Sequence, residues 1–437
     1  MAEADEKERV ELGIIGLGDM GLLYGRSFLA AGWKHVNVCD IPSRYAELQT
    51  SLAGSGMNLL PDGYAVSRRS DFIIYSVEAA NIQRVVAMYG PGTKLGAIVC
   101  GQTSVKEPEI RAFDEHLPSD VHIVTCHSMH GPRVNPTSQP MVIIRHRSSD
   151  AAFNLTVRIL ESLKSNIVYL SHLEHDRITA DTQVATHLAF LSMGTAWKAS
   201  ATYPWENPSY IGGVENVKTL MMLRMYSSKW HVYAGLALLN PSAKPQIRQY
   251  AKSVSALFKM MIREEEDAFR ARIAAASKFV FGAKPSDPAA HDLLLSDDVM
   301  DQFALSAIPR DKQKPNSHLS LLAVVDCWHA LQINPYDHLI CQTPPFRMLL
   351  GLTEYLFRSP QLLEDAISTA LYNRDIRGDD CEFYTATRGW VDCIELGAFE
   401  GYQKRFEDTA AFFEERLVEG AKASALLIET LAKKIGG

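Results

Sequence analysis

The 437-residue sequence contains no apolar run long enough to cross a membrane, and residues 1–9 are charged rather than signal-like. It also lacks a strong excess of either charge. Its 44 Lys and Arg against 51 Asp and Glu give a formal net charge of −7. This balance argues against general binding to nucleic acid or to an acidic membrane surface. We therefore expect neither nucleic acid nor membrane among its partners.

The cysteines show neither a disulfide framework nor a C-x-x-C motif. They are odd in number and scattered, at Cys39, Cys100, Cys126, Cys327, Cys341, Cys381 and Cys393. Such usage is typical of a reducing compartment, so we expect a cytoplasmic protein with free thiols. No metal-ligand pattern stands out, and no metal is expected. A hydrophobic content of 47% and a charged content of 22% are ordinary for a soluble globular protein.

The segment Glu11–Gly21, E-L-G-I-I-G-L-G-D-M-G, joins an apolar run to a glycine-rich turn and the start of a helix. Its G-x-G-x-x-G pattern is typical of dinucleotide binding, because the glycines permit a tight turn, a close pyrophosphate and close helix packing. The alternative is a turn that binds no ligand. We predict a cofactor site made by Gly16, Leu17, Gly18, Asp19, Met20, Gly21, Asp40, Ser43, Arg44, Ser76 and Val77.

Apolar runs and helical patterns alternate from Val10 to Leu170, which predicts a mostly parallel α/β sheet of Rossmann type. The predicted strands are Leu12–Ile15, Val36–Cys39, Phe72–Val77, Ala97–Cys100, Val121–Cys126, Met141–Ile144 and Ile167–Leu170. The predicted helices are 20–31, 43–53, 81–89, 106–116 and 149–164, after a solvated arm over residues 1–10. Ligands bind at the carboxyl ends of such strands.

Helical patterns dominate after Ser171, where S-x-x-E is a capping-box signature. We predict helices over 317–331, 346–357, 360–372, 388–396 and 402–434, one long or two broken helices over 247–281, and loops over 284–298 and 309–316. The sequence thus predicts two domains. Residues 1–170 form a dinucleotide-binding domain, and residues 171–437 form an all-helical domain for substrate binding and dimerisation.

Two strand ends carry candidate catalytic groups. His127 follows the run H-I-V-T-C, where a neutral imidazole can accept a proton from a substrate hydroxyl as a hydride leaves the same carbon. The alternative is that His127 and His130 only cap a loop; we favour function for His127 and not for His130. Ser104 either bonds a substrate or caps a helix with Glu107, and the two interpretations are even.

The helical half contains candidate substrate ligands. Thr179, Gln183 and His187 are spaced by four and share one polar helix face, which lines a site or forms a buried hydrogen-bond network. Lys218 and Arg224 lie in a basic segment that can clamp carboxylates, although charges on a solvated helix face look alike.

Together these motifs resemble the prephenate dehydrogenases of tyrosine biosynthesis, the fungal form in particular, over nearly the whole chain. The segments that carry the resemblance are G-L-G-D-M-G-L-L-Y (16–24), S-D-F-I-I-Y-S-V-E-A (70–79), G-Q-T-S-V-K (101–106), H-S-M-H-G-P (127–132), E-H-D-R-I-T-A-D-T-Q (174–183), S-S-K-W-H-V-Y-A-G-L-A (227–237) and P-N-S-H-L-S-L-L-A (315–323).

The resemblance implies oxidative decarboxylation of prephenate to 4-hydroxyphenylpyruvate in an active site between a Rossmann domain and a helical dimerisation domain. It implies that His127 bonds or deprotonates the substrate hydroxyl and that Ser104 touches substrate and nicotinamide. His187 matches the first histidine of an S-H-L-P-H-type motif, whose second histidine is replaced by Phe190. The family's carboxylate-binding arginine has no single match; Arg224 is our first choice and Lys218 our second.

The cofactor expectations conflict. Asp40 at the end of the second strand suits a free ribose hydroxyl and hence NAD, because a carboxylate repels a 2′-phosphate. The fungal resemblance implies NADP, with Ser43 and Arg44 near enough to bind that phosphate. We expect NADP, with NAD as the alternative.

Other functions remain as alternatives. Arogenate differs from prephenate only in its side chain. A β-hydroxyacid dehydrogenase shares G-L-G-x-M-G but needs a catalytic lysine helix that we do not find here. A non-catalytic NADP-sensing regulator would not need His127, and a purely structural dimer module ranks last.

Overall fold

The computed structural model describes residues 2–282 and 295–435, which divide into two compact units. The first unit extends to Thr179 and takes in Leu239–Pro241. The second comprises Ala180–Leu238 and the chain from Ser242 onward. The chain therefore changes unit somewhat later than residue 170, inside a helical stretch.

An eight-stranded sheet forms the first unit, with strand order β3-β2-β1-β4-β5-β6-β7-β8. The strands are β1 (Glu11–Ile15), β2 (His35–Cys39), β3 (Asn58–Leu59), β4 (Phe72–Tyr75), β5 (Ile98–Gly101), β6 (His122–Ser128), β7 (Pro140–Arg147) and β8 (Asn166–Tyr169). Every pairing is parallel except β6 with β7. The order reverses between β1 and β4, so the switch point where such sheets bind ligands lies at the glycine-rich turn.

Two apolar layers cover this sheet, because its central strands are buried on both faces. The helices of the first unit are α1 (Ala2–Arg9), α2 (Asp19–Ala30), α3 (Tyr45–Ser51), α4 (Gly63–Arg69), α5 (Ile82–Tyr89), α6 (Glu107–His116), α7 (Asp150–Leu160) and α8 (His172–Thr179). The seven predicted strands and five predicted helices are all present. Strand β3 and helix α4 were not predicted.

The predicted solvated arm is wrong, because α1 occupies it. Both guanidinium donors of Arg158 bond the Glu6 carboxylate at 2.8 and 2.9 Å, and the Lys34 amide donates to the Lys7 carbonyl at 3.1 Å. These contacts dock a charged helix that has no apolar stripe. A pattern search therefore misses it.

The second unit is helical throughout its described residues. After a π-helical turn (Ala180–Val184), its helices are α9 (Ala185–Ala199), α10 (Gly213–Tyr226), α11 (Trp230–Leu239), α12 (Ala243–Arg263), α13 (Glu266–Phe281), α14 (Asp297–Gln302), α15 (Leu319–Leu331), α16 (Pro344–Arg358), α17 (Pro360–Tyr372), α18 (Arg377–Glu395), α19 (Phe399–Phe412) and α20 (Glu414–Ile435). Most of the predicted loop 284–298 lies outside the described residues, and its end belongs to α14.

Three helical predictions change in detail. The 247–281 pattern is two helices, broken where Glu264 adopts φ 53°. The predicted 402–434 helix is also two, and 388–396 is the end of the longer α18. Within 309–316, Arg310–Lys312 form a short 3₁₀ turn. The capping box is confirmed: the Ser171 amide donates to Glu174 Oε2 at 2.9 Å, and the Glu174 amide donates to Ser171 Oγ at 3.2 Å. Among the described helices, none is long and apolar enough to span a bilayer.

Candidate active site

The glycine-rich turn between β1 and α2 has the shape that a pyrophosphate needs. Gly16 adopts φ +102°, and a Cβ there would lie 2.3 Å from the Ser76 carbonyl oxygen. A Cβ at Gly21 would lie 2.2 Å from the Gly16 carbonyl oxygen, whereas one at Gly18 would meet no protein atom within 4 Å. Two glycines are thus required by packing, and the third leaves the backbone open at the amino end of α2, where unpaired amides favour anions.

Asp40 holds this turn to the end of β2. Its Oδ2 accepts the Leu17 amide at 2.8 Å and Arg44 Nη1 at 2.7 Å, while its Oδ1 accepts the Ile41 amide at 2.7 Å. Arg44 also reaches Glu47 at 3.3 to 3.4 Å, and these acidic partners raise the pKa of Arg44, the Glu47 hydrogen bonds most of all. The carboxylate of Asp40 is therefore paired, and the residues predicted for the cofactor around it lie together.

His127 lies near the carboxyl end of β6 and is 8% exposed. Its Nδ1 is 2.8 Å from Nε2 of His175, and the two rings meet edge to face. Burial lowers the pKa of His127 well below its usual value, and the neighbouring His175 and Lys106 add to that shift. The ring is therefore neutral at physiological pH, as a general base must be.

His175 and Asp176 were seen in the sequence but given no role. Nδ1 of His175 lies 2.8 Å from Oδ1 of Asp176. Asp176 in turn accepts the backbone amides of Lys106 and Glu107, at 2.8 Å each, where α6 begins. The E-H-D-R motif was the only signal for these residues, because nothing in a linear sequence shows that His175 meets a ring 48 positions away.

Behind β6, a buried ion pair fills the space between β5 and α6. Lys106 Nζ lies 2.9 Å from Glu109 Oε1 and donates to the Cys126 carbonyl at 2.6 Å, and both charged side chains are fully buried. Glu109 also accepts the Thr103 hydroxyl at 2.7 Å. This network ties the 101–106 turn to the strand that carries His127, so the lysine of G-Q-T-S-V-K is structural.

Ser104 does not cap α6. The position before the helix is Lys106, and the α6 amides are bonded by Asp176 instead. Within the described residues the Ser104 hydroxyl has no hydrogen-bond partner, which leaves it available to a ligand. His130 Nδ1 donates to the Gly131 carbonyl at 3.0 Å, and burial lowers the pKa of His130.

In the second unit, Gln183 belongs to the π-helical turn and His187 to α9. Gln183 is 6% exposed, and its Nε2 has no partner among the described residues. The His187 ring packs edge to face on Tyr233 at 4.8 Å between centroids, and desolvation lowers the pKa of His187 to about 3. Thr179 closes α8 and donates to the His175 carbonyl at 2.9 Å, so the predicted polar face is interrupted by the π turn.

The two predicted substrate cations differ in environment. Lys218 is 4% exposed and lies 2.8 Å from Glu215 Oε1, which His318 Nδ1 approaches at 2.9 Å. Lys218 also lines a cleft of about 430 Å³ with Asp379 and Asp380. Arg224 lies on α10 with partial exposure.

Arg347 on α16 was missed by the sequence analysis. Its guanidinium has no hydrogen bond or ion pair to a side chain within the described part of the chain, and desolvation alone lowers its pKa. Helix α16 packs against both the π-helical turn with Gln183 and α9 with His187. A half-buried cation without a counterion is costly unless it meets an anion. No periodicity marks such a residue.

Comparison with known proteins places this geometry in a family. Residues 184–433 match a family model of the 6-phosphogluconate dehydrogenase C-terminal domain. The chain is 52% identical over 429 residues to a probable prephenate dehydrogenase [NADP(+)] of Schizosaccharomyces pombe, covering 98% of this chain and 99% of that protein. It is 49% identical to the prephenate dehydrogenase [NADP(+)] of Saccharomyces cerevisiae, covering 96% and 93% respectively.

The chain belongs to the fungal prephenate dehydrogenase [NADP(+)] family. This confirms the resemblance drawn from the motifs. Among solved structures, the prephenate dehydrogenase of Aquifex aeolicus matches 59% of this chain and 94% of its own, with a TM-score of 0.48 and 17% identity. A likeness that weak supports no statement about this chain.

Proposed function

We propose that this protein oxidises prephenate with NADP⁺, releasing carbon dioxide and 4-hydroxyphenylpyruvate. One observation carries the proposal. A chain that matches two NADP(+)-named prephenate dehydrogenases over nearly its whole length holds a buried, neutral His127 at a strand end of its dinucleotide-binding fold. Neither match favours the hydroxyacid or sensor alternatives.

In the proposed reaction His127 accepts the proton of the C4 hydroxyl. The hydride leaves C4 for the nicotinamide, and loss of the ring carboxylate as carbon dioxide leaves its bonding electron pair to make the ring aromatic. A positioned base of this kind contributes about 10²–10⁴-fold to rate. Ser104, whose hydroxyl is unpaired within the described residues, donates a hydrogen bond to the same hydroxyl region.

The residues of the first unit fit a phosphorylated dinucleotide. The open backbone at Gly18 and the amino end of α2 suit the pyrophosphate, with Asp19, Met20, Ser76 and Val77 around it. Ser43 and Arg44 would hold the 2′-phosphate. The exposed Glu47 contacts of Arg44 are long and weak, so a phosphate can replace them. When bound, the cofactor supplies the hydride acceptor.

Basic and polar groups of the second unit would bind the substrate's two carboxylates. The candidates are Gln183, His187, Lys218, Arg224 and, from its unpaired guanidinium within the described residues, Arg347. Arg347 is the strongest of the cations, because Lys218 already has a carboxylate partner in Glu215. Arginine also binds carboxylates through two parallel hydrogen bonds.

A cytoplasmic homodimer formed through the helical unit is part of the same proposal. All seven cysteines are free thiols, as in a reducing compartment. Large apolar side chains, including Val418 and Leu426 of α20, are exposed on the second unit at 66% and 52%. Sedimentation of the purified chain should give the mass of a dimer; a monomer at micromolar concentration would contradict this part.

The decisive experiment follows absorbance of reduced nicotinamide with purified protein, prephenate, and NADP⁺ or NAD⁺ in parallel. Growth with NADP⁺ together with release of carbon dioxide supports the proposal. Growth with NAD⁺ alone keeps the reaction but overturns the cofactor assignment. Turnover of arogenate and not prephenate would overturn the substrate assignment, and no turnover of either would overturn the function.

A further inference from the structure

The base of the proposed reaction is one end of a buried hydrogen-bond path that no sequence motif explains. The path runs from His127 to His175 and on to Asp176, with 2.8 Å at each step. His175 and Asp176 are 1% and 3% exposed. Because the three groups are shielded from water, each must satisfy its neighbour, and the direction of every hydrogen bond follows from the chemistry of the last group.

Asp176 determines the proton position on His175. A carboxylate accepts hydrogen bonds and does not donate them, so the proton between the two residues belongs to Nδ1 of His175. Asp176 also accepts the two backbone amides at the start of α6, at 2.8 Å each. Those amides and the positive end of the α6 dipole favour the ionised carboxylate. Its acceptor role is therefore assured.

His175 then determines the proton position on His127. A neutral imidazole that carries its proton on Nδ1 has a bare Nε2, which can only accept. That Nε2 lies 2.8 Å from Nδ1 of His127, so Nδ1 of His127 must donate to it. The proton of His127 is thereby placed on Nδ1. Its Nε2, the other ring nitrogen, has a free lone pair.

We propose that His175 and Asp176 are positioning residues that hold His127 in the tautomer able to accept the substrate's proton. This proposal deepens the function given above and rests on it only for the identity of the substrate. If His127 takes a proton on Nε2, the positive ring still donates through Nδ1 to His175, and the carboxylate of Asp176 faces the charge through the second ring. The same division of labour operates where an acid orients a catalytic histidine.

The backbone keeps the path in place without help from side-chain packing alone. The side chain of Asn240, from the segment Leu239–Pro241 that returns to the first unit, donates to the Asp176 carbonyl oxygen at 2.8 Å. The Thr179 hydroxyl donates to the carbonyl of His175 at 2.9 Å. Both residues of the path therefore sit on a helix fixed at its end and joined to α6.

The first test is spectroscopic and needs no substrate. In protein with ¹⁵N-labelled histidine, the ring-nitrogen shifts of His127, assigned by their loss in H127N, should report a proton on Nδ1 and a bare Nε2. The D176N variant, whose amide can donate to His175, should shift His127 toward the opposite tautomer. A proton on Nε2 of His127 in the parent protein would overturn the proposal, whatever the enzyme turns over.

The second test is a double-mutant cycle on prephenate turnover. H175F should lower kcat by about 10²-fold while the KM for prephenate changes little, because the variant disturbs the base and not substrate binding. In an H127N background the same change should cost nothing further, since His175 acts through His127. H172N, on the same helix but outside the path, is the matched control and should retain parent activity.

A merely structural role for His175 predicts a different result. H175F would then lower kcat by the same factor in both backgrounds, and the thermal midpoint of the double variant would fall with its activity. That outcome would overturn the positioning role. A failure of the proposed substrate would instead show as no turnover in the parent chain, with the tautomer of His127 unchanged.

Discussion

Arg44 and Asp40 form an ion pair at the end of β2, with 2.7 Å between Nη1 and Oδ2. The same carboxylate accepts two backbone amides. An acid at this position is expected to repel a 2′-phosphate, yet here its charge is already met by three donors. The pair therefore reconciles an acidic residue with the NADP(+) names of the relatives.

Replacing Arg44 by Ala should change the cofactor preference. We expect the KM for NADP⁺ to rise about 10- to 100-fold, because a charge-assisted hydrogen bond contributes about 1.5–3 kcal/mol. The KM for NAD⁺ should stay within a factor of about two to three, since it has no 2′-phosphate. Initial rates with both cofactors check this. Glu47→Gln is the companion variant and should not weaken NADP⁺ binding; equal losses with both cofactors in Arg44→Ala would contradict the assignment.

Replacing His127 by Asn should remove most turnover and leave the fold intact. We expect kcat to fall about 10²–10⁴-fold with retained cofactor binding, because the base is lost while the side chain stays polar. Because burial lowers the pKa of His127, the acidic limb of kcat/KM in the parent should lie below the ordinary histidine value of about 6.5. A limb at or above that value would contradict a buried neutral base.

Replacing Ser104 by Ala separates its two interpretations. A lost helix cap costs about 0.5–2 kcal/mol of unfolding free energy. The structure bonds the α6 amides to Asp176, so we expect unchanged stability in urea and a kcat reduced about tenfold by loss of one substrate hydrogen bond. A destabilised variant with parent kcat would show that Ser104 is structural after all.

The cations of the second unit should respond in opposite ways. Lys218→Met leaves Glu215 buried without its partner, and breaking a buried pair costs about 3–5 kcal/mol. Arg347→Met removes a cation that has no partner within the described residues, so stability should hold while the KM for prephenate rises. Urea unfolding and steady-state kinetics on both variants check this, and an unchanged KM in Arg347→Met would exclude it as a carboxylate ligand.

The chain should lose stability in mild acid. Burial lowers the pKa of His127, His175, His187 and His318, the third to about 3. Below the unfolded value of about 6.5 the unfolded chain takes up protons that the folded chain refuses. Each such histidine therefore contributes stability that is complete above a pH of about 6.5 and is lost as the pH falls toward its folded pKa, at up to about 1.4 kcal/mol per pH unit.

Urea unfolding at pH values of about 7.5, 6.5 and 5.5, which bracket the unfolded histidine pKa, measures this slope. The His187→Gln variant should show a shallower dependence by about one proton. A stability that does not change over this range would mean that these rings are hydrated in solution.

Sequence patterns were sufficient for the elements that depend on local chemistry. Apolar runs of the central strands, the glycines at 16 and 21, and the Ser171–Glu174 cap all act within a few residues of themselves. The same is true of the candidate His127, because a strand end is visible in the chain. Helix α1 escaped because it is held by Arg158, far along the sequence, and α4 because it is short.

Local patterns along the chain thus predicted a glycine-rich nucleotide-binding fold, a helical second half and a histidine at a strand end. Tertiary structure alone decided which groups surround that histidine. His175 reaches it across 48 residues, and Asp176 faces α6 across 69. Ring pKa values, the tautomer of the base and the lack of a partner for Arg347 within the described residues depend on burial and on distant neighbours, and neither is a property of adjacent residues.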